Sequence, residues 1–373
     1  LIEIGRRSAE PGLSDWLEHW RIDSWLLLLL LLVSALGLIV LYSASGHDMD
    51  AVIAQGKRLM LGMVVMIAVA QAPPEWYRTI SPWLYGVTAV LLILVLLLGD
   101  AAKGAQRWLD LGVIRFQPSE LMKLAMPMVI AAYLHHRLLP PSVGTMALTL
   151  LLIGLPAGLV MQQPDLGTAL LIIGAGGFAL FFAGLRWRWI LGAVGAVTAA
   201  APILWHQLHD YQRGRILTLF DPERDPLGAG YHITQSKIAI GSGGLFGKGW
   251  LEGTQAKLDF LPEAHTDFIF AVIAEEFGLI GALLLLMLYL AIVGRGLVIA
   301  MRAQDTFQRL LAAALSLKFF VYVFINIGMV IGLLPVVGVP LPLISYGGTS
   351  AVSLLAGFGM LMSIQTHRKL LSN

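Results

Sequence analysis

His265–Val293 reads HTDFIFAVIAEEFGLIGALLLLMLYLAIV. From Asp267 onward the run is long and apolar enough to cross a bilayer, which takes about 20 residues at a rise of ~1.5 Å each. Yet its first turns hold Asp267, Glu275 and Glu276. An ionised carboxylate in hydrocarbon costs on the order of 3 kcal/mol or more, so acids inside a span face a bundle interior or a wet cavity and mark function by default. Asp267 sits at the mouth of this span, where it can meet both water and a membrane-held molecule. Thr266 and Asp267 would also serve as ordinary helix caps. Glu275 and Glu276 lie deeper. They need partners such as Lys123 or Lys318, or the neutral form, because burial favours the protonated carboxyl.

The rest of the chain agrees with a membrane setting. Of its 373 residues 57% are hydrophobic and 13% charged, against about 25% charged in a soluble domain. The absence of cysteine removes disulfides and thiolate metal sites, and a net charge of +2 gives no reason to expect nucleic acid. Trp25–Leu41 resembles a signal-peptide core, but the long, acid-containing stretch before it predicts a retained first span.

Ten apolar stretches stand out, near residues 25–43, 57–72, 82–99, 118–135, 146–162, 167–184, 187–206, 267–294, 308–333 and 347–365. They predict an all-α integral membrane protein of ten transmembrane helices. Residues 1–24 form an N-terminal tail, 25–206 hold spans one to seven, 207–266 one large extracytoplasmic loop, 267–365 spans eight to ten, and 366–373 a C-terminal tail. With both ends in the cytoplasm, twelve Lys and Arg between Arg6 and Lys369 fall in inner segments. Only Lys57, Arg58, Lys103, Arg107 and Arg115 fall in short outer loops. That asymmetry predicts both termini inside and the polar loops facing outward.

The unusual polar residues gather on that outer side. In GAQRWLDLGVIRFQPSELMK (Gly104–Lys123), Pro118 suits the first position of span four. Glu120 and Lys123, three residues apart, share a helical face, either neutralising each other or lining a cleft. Arg107 and Trp108 are interfacial anchors or ligand contacts. QQPDLGT (Gln162–Thr168) repeats the proline-then-acid start with Asp165. The acids at 165 and 267 leave room for a divalent cation without fixing its geometry; no cofactor is otherwise indicated. In the long loop, Tyr231–Ile240 predicts a short helix stopped at Gly241. SGGLFGKG fails the spacing of a phosphate loop, and its glycines suit a mobile ligand entrance. Arg213, Arg215, Lys237 and Lys248 are candidates for phosphates or lipid headgroups. His206 and His209 lack a metal pattern. VVGVPLPLISYGGTS (Val336–Ser350), with Ser345 in it, carries too many prolines and glycines for a regular helix. Broken backbone at membrane depth survives only inside protein or along a cavity.

These motifs together resemble the SEDS family of shape, elongation, division and sporulation proteins. The matching segments are YSAS, GAQRWLDLG, FQPSE, QPDLGT, LDFLPEAHTDFIFAVIAEE and LPLISYGG, in this order over nearly the whole chain. DPLGAGYHITQSKIAIGSGGLFGKGW and LLPVVGVPLPLISYGG look like the elongation branch rather than the division paralogue. The resemblance implies a ten-span peptidoglycan glycosyltransferase of the bacterial inner membrane, with its active site facing the periplasm. It would polymerise lipid II onto a nascent glycan strand, with Asp267 as catalytic residue and Trp108, Glu120 and Lys123 on matching motif positions. It also implies a class B penicillin-binding protein as transpeptidase partner, within an elongation complex containing MreB and MreC. Two other functions fit the same residues. A lipid II flippase would spread polar residues along a path through the membrane, whereas a non-enzymatic scaffold would leave the buried charges without purpose.

Overall fold

The computed structural model describes residues 20–367, apart from 99, 103–104, 111–114, 208–209, 226–227, 259 and 262. Most of the N-terminal tail, the last six residues and His209 therefore lie outside the described residues.

A long helix stands at each of the ten apolar stretches: α1 (Ser24–Ala44), α2 (Met49–Gln71), α3 (Pro74–Leu98), α4 (Pro118–His135), α5 (Val143–Gln162), α6 (Leu166–Phe182), α7 (Trp187–Gln207), α11 (Ile269–Met301), α12 (Thr306–Val330) and α13 (Thr349–Thr366). Seven of them are long and apolar enough to cross a membrane by length and composition alone, while α6 and α7 hold shorter apolar stretches. The protein is a multi-pass, all-helical membrane protein. Between α3 and α4 a small antiparallel sheet of β1 (Asp100–Ala102), β2 (Ala105–Asp110) and β3 (Arg115–Phe116) interrupts the helices. The long segment after α7 is mostly helical too: α8 (Asp210–Phe220), a 3-10 turn at Pro222–Arg224, α9 (Ala229–Gly243) and the short α10 (Thr254–Lys257).

Burial ranks the helices. In α4, 15 of 18 residues are buried, Glu120 and Lys123 among them. In α12 and α13, 72% of the most apolar window is buried. These three form the centre. Around them α2 packs on α13, α11 on α12 and α1, and α6 on α12, α4 and α5. The outer helices turn large apolar side chains outward, as lipid requires. None of the described side chains of α7 is buried, so α7 stands clear of the core.

Several helix ends differ from the expected boundaries: α3 begins at Pro74 rather than near 82 and α11 runs to Met301 rather than 294, and two other ends have a clear local cause. α2 begins at Met49, ahead of its apolar stretch, because the Asp48 carboxylate accepts the amides of Asp50 (2.8 Å) and Ala51 (3.3 Å). Lys57 and Arg58 are thereby drawn from the expected loop into the helix. α9 runs past Gly241 to Gly243 and stops at Gly244, whose φ is 58°. The Ser236 hydroxyl donates to the Val330 carbonyl at 2.7 Å and ties α9 to the end of α12.

α11 is broken at Gly278 (φ 65°). Its freed groups are satisfied by the glycine-rich segment after α9. The amides of Leu279 and Ile280 donate to the carbonyls of Gly244 (3.0 Å) and Leu245 (3.2 Å). The amides of Lys248 and Gly249 donate to the carbonyls of Glu275 and Glu276, both at 3.0 Å. A Cβ on Gly247 would collide with the Glu276 carbonyl, and Gly247 itself has φ 82°. SGGLFGKG is therefore no mobile entrance. It is a plug that repairs a helix break with backbone hydrogen bonds, which hydrocarbon could not supply.

The same plug corrects the expectation for the two glutamates. Glu275 pairs with Lys248 (2.6 Å), and its carboxylate also accepts the amides of Thr254 (2.9 Å) and Gln255 (3.2 Å). Glu276 accepts the Ser43 hydroxyl of α1. Neither meets Lys123 or Lys318, because the re-entering loop reaches them first. The Lys318 ammonium instead donates to the Lys123 carbonyl at 3.3 Å.

Candidate active site

The proline- and glycine-rich segment before α13 is held by buried side chains of α2 and α12 and by its own Ser345. Gln55 of α2 donates to the Ser345 carbonyl (3.1 Å) and accepts the Gly347 amide (3.2 Å). The Ser345 hydroxyl donates to the Thr266 carbonyl (2.5 Å) and accepts the Leu341 amide (2.8 Å). Asn326 of α12 donates to the carbonyls of Asp267 (2.9 Å) and Val339 (2.8 Å). A segment with few regular hydrogen bonds of its own thus becomes rigid, and it carries residues 265–267 with it.

Beside it lies a cavity of about 200 Å³ lined by Trp108, Gln117, Glu120, Lys123, Asp165, Thr168, Tyr322 and residues 338–340 and 347–350. Each wall has a local cause. Pro118 occupies the first turn of α4, which places Glu120 and Lys123 one turn apart on the cavity side. The Lys123 ammonium donates to Glu120 at 2.7 Å and to the Tyr322 hydroxyl, and the Ser353 hydroxyl donates to the other Glu120 oxygen at 2.7 Å. Asp165 caps α6 by accepting the Thr168 amide at 3.1 Å. Trp108 sits in β2, opposite Asp100.

Asp267 precedes α11 without capping it: the N-cap position is Phe268 and has no side-chain bond. The carboxylate is half-buried. A Cβ on Gly338, a cavity residue, would lie 3.4 Å from Asp267 Oδ2. The described acids, one lysine and a tyrosine hydroxyl therefore converge on one small polar space, with Asp267 behind Gly338. Such a space can accept a proton from a hydroxyl and hold polar groups of a substrate whose tail stays in lipid.

Of the expected site residues, Trp108, Glu120, Lys123 and Asp165 line this cavity, and Asp267 adjoins it. Arg107 lies in β2, but its side chain is outside what the structure describes. Three others are elsewhere. Arg213 donates to the carbonyls of Trp205 (2.8 Å) and His206 (2.5 Å) near the end of α7. Lys237, exposed on α9, lies against Gly332. Ser345 is buried and braces the broken segment rather than facing the space. Among the described residues no group of three or more His, Asp or Glu is placed to hold a metal ion. Sequence reasoning missed Tyr322, Gln55 and Asn326. An amide inside an apolar stretch signalled Asn326, whereas Gln55 precedes its stretch and carried no such signal.

The comparisons with known proteins match this architecture. The model of the FtsW/RodA/SpoVE family, described as cell cycle proteins, covers residues 23–370. The chain is 54% identical to the peptidoglycan glycosyltransferase MrdB of Escherichia coli K12, over 97% of this chain and 98% of that one. It is 38% identical to the probable peptidoglycan glycosyltransferase FtsW of Geobacter metallireducens, over 94% and 96%. Among solved structures, it is similar to a chain of a peptidoglycan synthase complex that coordinates polymerization and crosslinking (TM-score 0.81, 32% identity, 93% of this chain and 99% of that one). It is also similar to the rod shape determining protein RodA of Thermus thermophilus (TM-score 0.71, 30% identity, 93% and 98%). The chain belongs to the FtsW/RodA/SpoVE family.

Proposed function

We propose that this protein is a peptidoglycan glycosyltransferase of the elongation type, polymerising lipid II into glycan strands in the service of rod shape. The higher identity to MrdB than to FtsW, 54% against 38%, favours elongation over division. The observation that carries the chemistry is the polar cavity with Asp267 beside it. Joining a GlcNAc 4-hydroxyl to the anomeric carbon of MurNAc, with pyrophosphate leaving, converts an α to a β linkage in one displacement. Inverting sugar chemistry of this kind uses a carboxylate as base. Asp267 takes the hydroxyl proton as the C–O bond forms, and the pyrophosphate carries away the electron pair of the broken bond. At about 200 Å³ the cavity is smaller than the ~300–1,000 Å³ of a typical ligand pocket. It holds the reacting groups, while the rest of each substrate lies along the membrane face.

The polar cavity lies on the side of the bundle that carries α8–α10. With both termini cytoplasmic, that side is the periplasm, where a lipid-linked disaccharide-peptide would arrive after flipping. The partners are then a class B penicillin-binding protein, which crosslinks the emerging strand, and the elongation proteins MreB and MreC. The family's solved relative within a peptidoglycan synthase complex supports the first of these.

The direct test is polymerisation of lipid II by the purified protein in detergent, with and without its transpeptidase, read by glycan chain length. Loss of a positioned base costs about 10²–10⁴-fold, so the polymerisation rate of Asp267→Asn should fall by that factor while the protein stays folded. An Asp267→Asn protein that polymerises at the wild-type rate would remove Asp267 from the mechanism. A wild-type protein that moves lipid II across vesicles but never joins it would favour the flippase.

A further inference from the structure

We propose that Arg58 grips the pyrophosphate of the lipid-linked substrate; this rests on the polymerase function proposed above and adds a residue to it. Arg58 lies in α2 at the start of its apolar stretch and is half-buried. Among the described residues no carboxylate pairs with it. Its guanidinium lies over the Tyr346 ring, 4.4 Å from the centroid. Tyr346 immediately precedes Gly347 and Gly348, both in the cavity wall. The Arg58 Nε stands 3.9 Å from where a Cβ on Gly348 would be. On the other side of Tyr346, its amide donates to the His265 carbonyl at 2.9 Å, and its ring meets the His265 ring edge-on at 6.0 Å. Arg58 and Asp267 thus flank one braced segment.

Charge supports the assignment. The described cavity wall holds Glu120, Asp165 and one cation, Lys123, which Glu120 and Tyr322 already engage. A leaving pyrophosphate brings further negative charge into that acidic space. Among the described side chains, Arg213 is spent on carbonyls and Lys237 lies away from the cavity, whereas Arg58 stands beside its wall. Stacking occupies the flat face of the Arg58 guanidinium and leaves its edge donors available. That fork matches phosphate oxygens, which a point charge does not.

The test measures binding of undecaprenyl pyrophosphate and of undecaprenol to the full-length protein in nanodiscs, for wild type, Arg58→Gln and Arg58→Lys. A charge-assisted pair to phosphate should be worth tenfold or more in Kd. Arg58→Gln should weaken the pyrophosphate lipid by about that factor and leave undecaprenol unchanged. Arg58→Lys, which keeps the charge and serves if the glutamine variant fails to fold, should lose part of the discrimination, because the fork is gone. Equal discrimination in wild type and both variants, with only thermal stability lowered, would make Arg58 a brace for Tyr346 and overturn the proposal. Lipid II polymerisation by the wild-type protein together with its transpeptidase is read in parallel. Its absence would refute the polymerase function, whereas its presence with unchanged discrimination refutes Arg58 alone.

Discussion

At the residue scale, the buried Glu120–Lys123 pair shows how a membrane protein keeps charge in its centre. Each ion has two partners: Lys123 has Glu120 and Tyr322, and Glu120 has Lys123 and Ser353. Removing one member strands the other, which typically costs about 3–5 kcal/mol, whereas replacing both by neutral groups is often close to neutral. Lys123→Met should therefore lower the melting temperature sharply in detergent. The double variant Glu120→Gln, Lys123→Met should recover most of that loss and still fail to polymerise lipid II. A double variant as unstable as the single one would mean that the pair is not the stabilising unit. The sequence showed this pair by its spacing, since three residues apart on a helix means one face. It could not show Tyr322 or Ser353, whose contacts depend on how α12 and α13 pack against α4.

At the element scale, the break in α11 and the plug that fills it act as one unit. Gly278 and Gly247 meet backbone to backbone, and both have positive φ. A side chain at Gly247 meets the Glu276 carbonyl and a strained φ together. Strain of this kind costs on the order of 1–3 kcal/mol before the collision is counted. Gly247→Ala should expel the plug. Hydrogen exchange at the amides of Leu279 and Ile280 should then rise, because their acceptors at Gly244 and Leu245 depart with the loop. Unchanged exchange there would mean that α11 closes its own ladder. Lys248→Met should loosen the same loop by leaving Glu275 buried without its cation. The glycines and acids were each conspicuous in the sequence. Their pairing was not, because they are separated in the chain and meet only once α9 lies along α11. The broken segment before α13 was legible from its prolines and glycines. The braces that make it rigid, Gln55 and Asn326, come from other helices.

At the scale of the whole molecule, the ten helices were readable because hydrocarbon permits little else: a stretch long enough to span must satisfy its own backbone. What periodicity could not give was the rank of the helices, with α4, α12 and α13 at the centre and α7 apart. That rank depends on which polar faces find each other. The arrangement makes its own demand on orientation. Phe220, at the end of α8, is 82% exposed, and Leu138, between α4 and α5, is 94% exposed. Counting spans from a cytoplasmic N-terminus puts Phe220 in the periplasm and Leu138 in the cytoplasm. The chain has no native cysteine, so a single introduced thiol is the only one present. In spheroplasts, a membrane-impermeant maleimide should label Phe220→Cys at once and Leu138→Cys only after the membrane is opened. The reverse pattern would turn the cavity and Asp267 toward the cytoplasm. A sugar acceptor on the outer leaflet could then never reach the carboxylate, and the polymerase chemistry would have to be abandoned along with the orientation.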